Sequence, residues 1–222
     1  MHCTLQRTCK TVLNAAILSL LAAGCSVYRA QSTDIPLIDH RGMVNANVGG
    51  SLYRAQASVS AGLTDNLAAS ASYSFDSPTN HFGHLMAGWY RPLDRAVFEL
   101  YGGIGTGKGE HYVSPDRYDG EPIYTHANYQ LYFVQADYGW NDLTNSHIDL
   151  GFAHKGGLMH FNYTDQGTVK VKTNSLFVEP TVQFRIGGRH LKFCIAAGIC
   201  LTDWSKASVF PLSFNTGINF KF

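Results

Sequence analysis

The sequence predicts an all-β protein, and three observations lead to this fold class. Only 15% of the 222 residues are charged, whereas roughly a quarter are charged in an ordinary soluble domain. Aromatic residues make up 13% of the chain and glycine occurs 22 times. After the first 25 residues, no apolar run approaches the ~18 residues that indicate a membrane-spanning helix. This composition excludes a disordered chain, a coiled coil and a collagen-like repeat.

Residues 1–24 have the features of a secretory signal peptide. Arg7 and Lys10 lie in an N-terminal region without acids, and an apolar run over 11–23 is followed by small residues. The run has about 13 residues, whereas a helix needs ~20 to cross a bilayer. We therefore expect this segment to be removed on export.

The end of the signal, Leu21-Ala22-Ala23-Gly24-Cys25, resembles a bacterial lipobox. In such a motif the cysteine becomes the first residue and carries the acyl chains, palmitate among them. Ala22 departs from the motif, which prefers Leu at that position. The alternative is an ordinary signal cleaved near Ala23, with Cys25 incidental. Residues 25–42 are then expected to form a lipid-anchored periplasmic tether.

The mature chain retains two further cysteines, Cys194 and Cys200. On one continuous strand their Cα atoms would be about 20 Å apart, too far for a disulfide, so we expect two free, buried thiols. Loss of Arg7 and Lys10 reduces the 17 basic residues to 15, against 16 acidic residues. The net charge of −1 offers no basic surface for nucleic acid.

Period-two alternation indicates strands with two different environments. In 174–186 one face carries Val178, Val182 and Phe184, while the other carries Glu179, Gln183 and Arg185. Elsewhere the polar face consists mainly of Ser and Asn, unlike the Lys- and Glu-rich outer face of a soluble sandwich. The pattern favours a closed barrel over residues 43–222, with lipid outside and side chains filling the inside.

Ten strands are predicted, in up-and-down antiparallel order, with eight as the alternative. The predicted ranges are 43–51, 54–63, 67–76, 82–91, 95–106, 125–139, 146–156, 173–186, 189–200 and 209–222. Tight links follow every second strand, whereas 107–124 and 157–172 are expected to be long loops. Short turns on one rim and long loops on the other are typical of outer-membrane barrels, with the short turns in the periplasm.

Several charged residues fall on the inward face of these strands. Because a narrow, low-dielectric lumen penalises isolated charges, we expect an ion-pair network that blocks conduction. Its predicted members are Glu99, Asp137, Asp149, Glu179, Arg185, Lys192 and Lys221, with Lys155 as a further base.

The last strand alternates to the final residue, with Phe220 and Phe222 on one face. This ending resembles the assembly signal of outer-membrane barrels. The chain as a whole is similar to the small outer-membrane β-barrels of Gram-negative bacteria, the class of OmpX-like and OmpA-like barrels. The resemblance implies an outer-membrane location, contact with membrane lipid and recognition by the barrel-assembly machinery, but no single activity.

The residues leave three functions open. The first is a non-enzymatic, lipid-anchored barrel that acts as a structural, adhesive or complex-forming module, with a larger outer-membrane complex as a partner. Its binding surface is expected in the outer loop at Tyr112, Asp116, Arg117, Tyr118 and Tyr124. The second is a narrow channel or small-ligand carrier. The third is a hydrolase with a His/Asp pair at the outer rim.

No catalytic residue, metal site or cofactor is predicted. The run from Gly102 to Lys108 resembles the start of a phosphate-binding loop, but Gly109 stands where Ser or Thr must bind magnesium. We interpret these glycines as strand positions that admit large neighbours.

Overall fold

The computed structural model describes residues 28–30, 33–51, 54–77, 80–113, 123–143, 147–165, 169–203 and 209–222. It contains ten long strands, which we number β1 to β10. They are β1 (Val44–Ser51), β2 (Arg54–Gly62), β3 (Leu67–Ser77), β4 (Asn80–Leu93), β5 (Ala96–Val113), β6 (Ile123–Trp140), β7 (Ile148–Asp165), β8 (Val169–Gly187), β9 (Leu191–Ile199) and β10 (Leu212–Lys221). Two-residue strands occur at Tyr28–Arg29, Leu201–Thr202 and Val209–Phe210.

The ten strands form a closed antiparallel barrel. Each pairs with its neighbour in the sequence, and β10 closes the sheet by pairing with β1 from Thr216↔Gly50 to Lys221↔Asn45. The predicted all-β, ten-stranded, up-and-down barrel is therefore confirmed. Among the residues that the structure describes, no helix is long and apolar enough to span a membrane.

The two ends of the barrel differ. One end, here called the turn rim, carries the tight connections after β2, β4, β6 and β8, together with Phe222. The other end, the hairpin rim, carries the remaining connections. Strands β5 to β8 contain 18 or 19 residues, whereas β1, β2, β9 and β10 contain 8 to 10. The wall is therefore tall on one side only.

The prediction of long loops at 107–124 and 157–172 is largely wrong. β5 and β6 stay paired as far as Val113↔Ile123, and β7 and β8 as far as Asp165↔Val169. Apolar alternation fades there because the outer face becomes polar, with Lys108, Asn128, Asn162 and Lys172 exposed. The backbone groups there still need partners, and the paired ladder supplies them.

Side chains alternate as the sequence predicts. Val178 and Phe184 are exposed on the outer face, whereas Glu179 and Arg185 are buried inside. Ile218 and Phe222 also lie outside, at 46% and 68% exposure. The barrel thus presents hydrocarbon outward and polar groups inward.

Aromatic residues beside the tight turns, Trp89, Tyr90, Tyr138 and Trp140, are predicted from the sequence to form an outward girdle, and the structure corrects this at Tyr90. Trp89 and Tyr138 are exposed on the outer face, as expected for a girdle. Tyr90 is fully buried, and its hydroxyl donates to the Thr64 carbonyl at 2.7 Å. It faces the lumen because its neighbour Trp89 faces outward and the strand period is two.

Cys194 and Cys200 are free and buried, as predicted. The Gln183 amide donates to the Cys194 sulfur at 2.9 Å, so this thiol is part of the packed interior.

Candidate functional site: a lumen occupied by the N-terminal segment

The lumen contains part of the chain's own N-terminal segment. Residues 33–38 are buried inside the barrel, with Ile35, Leu37 and Ile38 no more than 1% exposed. We call residues 28–30 and 33–39 the strap. The described part of the expected tether over 25–42 is packed against the inner wall. Cys25 and the signal peptide lie outside the described residues.

The strap has unpaired backbone groups because it forms no ladder in the barrel, and inward side chains bind them. The Glu99 carboxylate accepts from the amides of Leu37 and Ile38, at 3.0 and 2.8 Å. The Tyr101 hydroxyl also donates to Glu99 at 2.9 Å. Glu99 thus binds strap amides, which differs from the expected pairing with a base.

Carbonyl groups of the strap are bound in the same way by donors on the wall. Gln135 Nε2 donates to the Asp34 carbonyl at 2.9 Å, and Asn141 Nδ2 donates to the Leu37 carbonyl at 3.0 Å. Arg185 donates to the Ile35 carbonyl. Such bonds matter because an unsatisfied buried backbone group costs about 1–3 kcal/mol.

The contacts give the direction of the strap through the lumen. The Tyr28 ring lies 5.2 Å from that of Tyr129, Asp34 is bound by Gln135, and Leu37 by Asn141. Tyr129 and Gln135 lie on β6 in this order towards the turn rim, and Asn141 directly follows the strand. The strap therefore enters from the hairpin rim, crosses the lumen and leaves at the turn rim, where β1 begins.

Two glycines form the floor beneath the strap. Gly139 and Gly151 are directly opposite each other on β6 and β7. A Cβ atom on Gly139 would lie 2.7 Å from Leu37 Cδ2, and one on Gly151 would lie 2.9 Å from Ile35 Cγ2. A larger residue at Gly151 would displace the strap, whereas one at Gly139 would also meet the Leu150 carbonyl oxygen of the wall at 2.5 Å.

The predicted lumen charges form two groups. In the first, Lys192 Nζ lies 2.5 Å from Asp149 Oδ1 and 2.9 Å from Asp142 Oδ1. Arg185 NH1 lies 4.0 Å from the other Asp149 oxygen. Asp149 thus links two bases near the turn rim.

The second group surrounds Glu179, which lies farther from the turn rim than Asp149. Lys155 Nζ is 3.4 Å from Glu179 Oε2 and 4.7 Å from the centre of the Phe133 ring. The Tyr28 hydroxyl donates to Glu179 at 2.8 Å. This carboxylate therefore links the strap to the wall.

Two predicted members of the network differ from expectation. Asp137 lies opposite Glu99 and accepts from the Gln135 amide at 2.9 Å. Lys221 lies at the turn rim and contacts Asp39 of the strap at 3.2 Å. Partial burial acts to raise the pKa of Asp39, but Lys221 and His40 outweigh it and hold this pKa below its usual value.

Aromatic side chains fill the lumen near the hairpin rim. Inward glycines on β5 give them space: an added Cβ would lie 2.3 Å from Phe133 at Gly103, 2.6 Å from Phe82 at Gly105, and 2.5 Å from Tyr129 at Gly107. The interpretation of these glycines as positions that admit large neighbours is confirmed. The strap and these rings together occupy the lumen.

The predicted outer-loop surface falls largely beyond what the structure describes. Asp116, Arg117 and Tyr118 lie outside the described residues, and Tyr112 and Tyr124 are directly opposite each other at the end of the β5–β6 hairpin. Near this rim His126 contacts Glu110 at 3.5 Å. In the described ranges, no three His, Cys, Asp or Glu side chains cluster in a way that could hold a metal ion.

Sequence reasoning missed the strap and its partners Gln135 and Asn141. The run Ile35-Pro36-Leu37-Ile38 was the available signal, since large apolar residues are unusual in a solvated tether. No protein-family model matches this chain, and no curated protein is similar enough to count as a relative.

Proposed function

We propose that this protein is a non-enzymatic, lipid-anchored outer-membrane barrel that acts as a sealed structural or complex-forming module. One observation carries the proposal: the strap and the lumen aromatics fill the interior, while the outer wall is hydrocarbon. Leu85 and Val134 are 60% and 57% exposed in the middle of that wall. Exposed hydrocarbon on this scale needs an apolar surrounding, and closure leaves no unpaired sheet edge for lipid to meet.

The position of the strap limits where the proposed lipid anchor can lie. Cys25 is three residues before Tyr28, so its Cα can be at most about 11 Å from that of Tyr28. Tyr28 pairs with Val209 in the connection from β9 to β10 at the hairpin rim. We therefore place the acylated Cys25 at the hairpin rim, on the opposite side of the membrane from the periplasmic turn rim. This differs from the periplasmic N-terminus that the sequence predicts.

A tag-accessibility experiment tests this topology. An epitope placed between Cys25 and Tyr28 should be bound by antibody on intact cells, whereas the same epitope in the Leu93–Asp94 turn should need permeabilised cells. Binding in the reverse pattern would contradict the proposed orientation. Cys25→Ala should abolish palmitate labelling. Labelling that persists in this variant would show that Cys25 is not the acylated residue.

Conductance separates this function from the channel alternative. The purified full chain in a planar bilayer should give no current steps, because the strap fills the lumen. A variant with residues 33–39 replaced by Gly and Ser, and with Phe82, Tyr129 and Phe133 replaced by Ala, should conduct. Regular current steps from the wild type would favour the narrow channel.

A further inference from the structure

The outer wall carries two adjoining grooves beside the tall side of the barrel. The first, about 620 Å³, is lined by backbone and small side chains of β2 to β5. Its floor is a row of directly paired outward residues, Ala61, Ala69, Ala87 and Gly102. The second, about 470 Å³, centres on Gly83 and is flanked by Tyr73 and Tyr132. Leu85 and Ile104 line both grooves.

Together the grooves run from mid-wall towards the hairpin rim. From Gly102 to Lys108 on β5 is six residues, or about 20 Å along the strand. At the ~40° tilt usual for such barrels, this corresponds to about 15 Å of height. Half of a ~30 Å hydrocarbon core has the same depth, so the grooves match the acyl region of one leaflet.

A polar, cationic row crosses the wall at the end of the grooves nearer the hairpin rim. Lys108 lies directly opposite His81 on one side and Asn128 on the other, and the row continues through Asn162 to Lys172. Lys108, Asn128, Asn162 and Lys172 are exposed. Lys108 and Lys172 are the exposed cations of this row. The nearest acid on β5, Glu110, is 20% exposed and contacts His126 at 3.5 Å.

We propose that these grooves bind a phosphorylated, multi-acylated lipid, with its acyl chains along the Ala61–Gly102 row and beside Gly83, and its phosphate against Lys108 and His81. The apolar grooves complement the acyl chains of such a lipid, and the positive charge of Lys108 complements its phosphate. The proposal rests on the proposed function, since it requires the wall to face lipid. In the orientation proposed above, the leaflet is the outer one, and the ligand is a phosphorylated glycolipid of the lipid A type.

The test measures lipid retained by the purified full chain. The protein is inserted into phosphatidylethanolamine vesicles containing either bisphosphorylated lipid A or its dephosphorylated form, then extracted in mild detergent, and bound lipid is counted by native mass spectrometry. Wild type should retain the phosphorylated form preferentially. Lys108→Gln should lower retention about fivefold, the effect of one surface lysine. Arg91→Gln at the opposite rim should leave it unchanged.

A second variant tests the groove without altering charge. A Cβ on Gly102 meets no atom within 4 Å, so Gly102→Leu is expected to fold and to fill the groove. It should abolish retention of lipid A, whereas Ala197→Leu, on the outer face of β9, should not. Equal retention by all variants, or no preference for phosphate, would overturn the inference. Failure of the wild type to insert into either vesicle would instead overturn the proposed function.

Discussion

Asp149 shows how much a single buried side chain holds in place. It contacts Lys192 and Arg185 and accepts from the Asp142 amide at 2.9 Å. Asp149→Asn leaves two buried bases without their shared carboxylate. We expect it to lower the free energy of unfolding by about 3–5 kcal/mol, measured by urea titration in detergent.

The matched control for that experiment is Asp65→Asn, in the exposed turn after β2. It should move the urea midpoint little, since exposed charges contribute at most about 1 kcal/mol. Equal midpoints for Asp149→Asn and wild type would contradict the role given to Asp149.

Asp39 provides a pH-dependent contact where the strap leaves the lumen. Its pKa is lowered in the folded protein by Lys221 and His40. The stabilisation is therefore complete above the ordinary carboxyl pKa and is lost as the pH falls through the lowered value. Asp39→Asn should abolish this part of the acid sensitivity, at most about 1 kcal/mol for a partly exposed pair. We compare the unfolding free energies of wild type and Asp39→Asn at neutral pH and at acid pH. If the difference between the two proteins is the same at both pH values, the predicted role of Asp39 is wrong.

Among the elements of the fold, we expect the strap to be displaceable without a change in the barrel strands. Gly151→Val places a side chain where only Ile35 approaches closely. We expect the strap to leave its seat, so that the amides of Leu37 and Ile38 exchange with solvent at least tenfold faster, a change of about 1.4 kcal/mol. Hydrogen exchange with mass spectrometry measures this.

Gly156→Val is the control on the same strand. Gly156 lies on the outer face, and an added Cβ there meets only ordinary contacts at 3.5 Å or more. In Gly156→Val, the strap amides should exchange with solvent at the same rates as in wild type. Protection at Leu37 that survives Gly151→Val would show that the strap does not depend on the glycine floor.

The elements also show what sequence can predict. Alternation located the ten strands because each has an apolar outer face and an inner face packed in the lumen. It failed near the ends of the β5–β6 and β7–β8 hairpins, where the outer face becomes polar. It failed again for the strap, because residues 33–38 have no regular ladder and their partners, Glu99 and Asn141, are more than 60 positions away.

The whole molecule is expected to have an apolar belt bounded by polar rows. Val134 lies mid-wall on β6, whereas Asn128 lies on the same face above the belt. Val134→Arg should destabilise the protein in lipid by about 2–4 kcal/mol, while Asn128→Arg should have little effect. The unfolding free energies of both variants are measured in vesicles. An equal loss of unfolding free energy in both would contradict an apolar belt at the height of Val134.

The passage of the strap through a closed ring of strands constrains the order of assembly. In the proposed lipoprotein, the acyl chains on Cys25 are too bulky to be drawn through the lumen once β10 has paired with β1. We therefore expect the strap to lie across the sheet before β10 pairs with β1, so that the sheet closes around its own N-terminal segment.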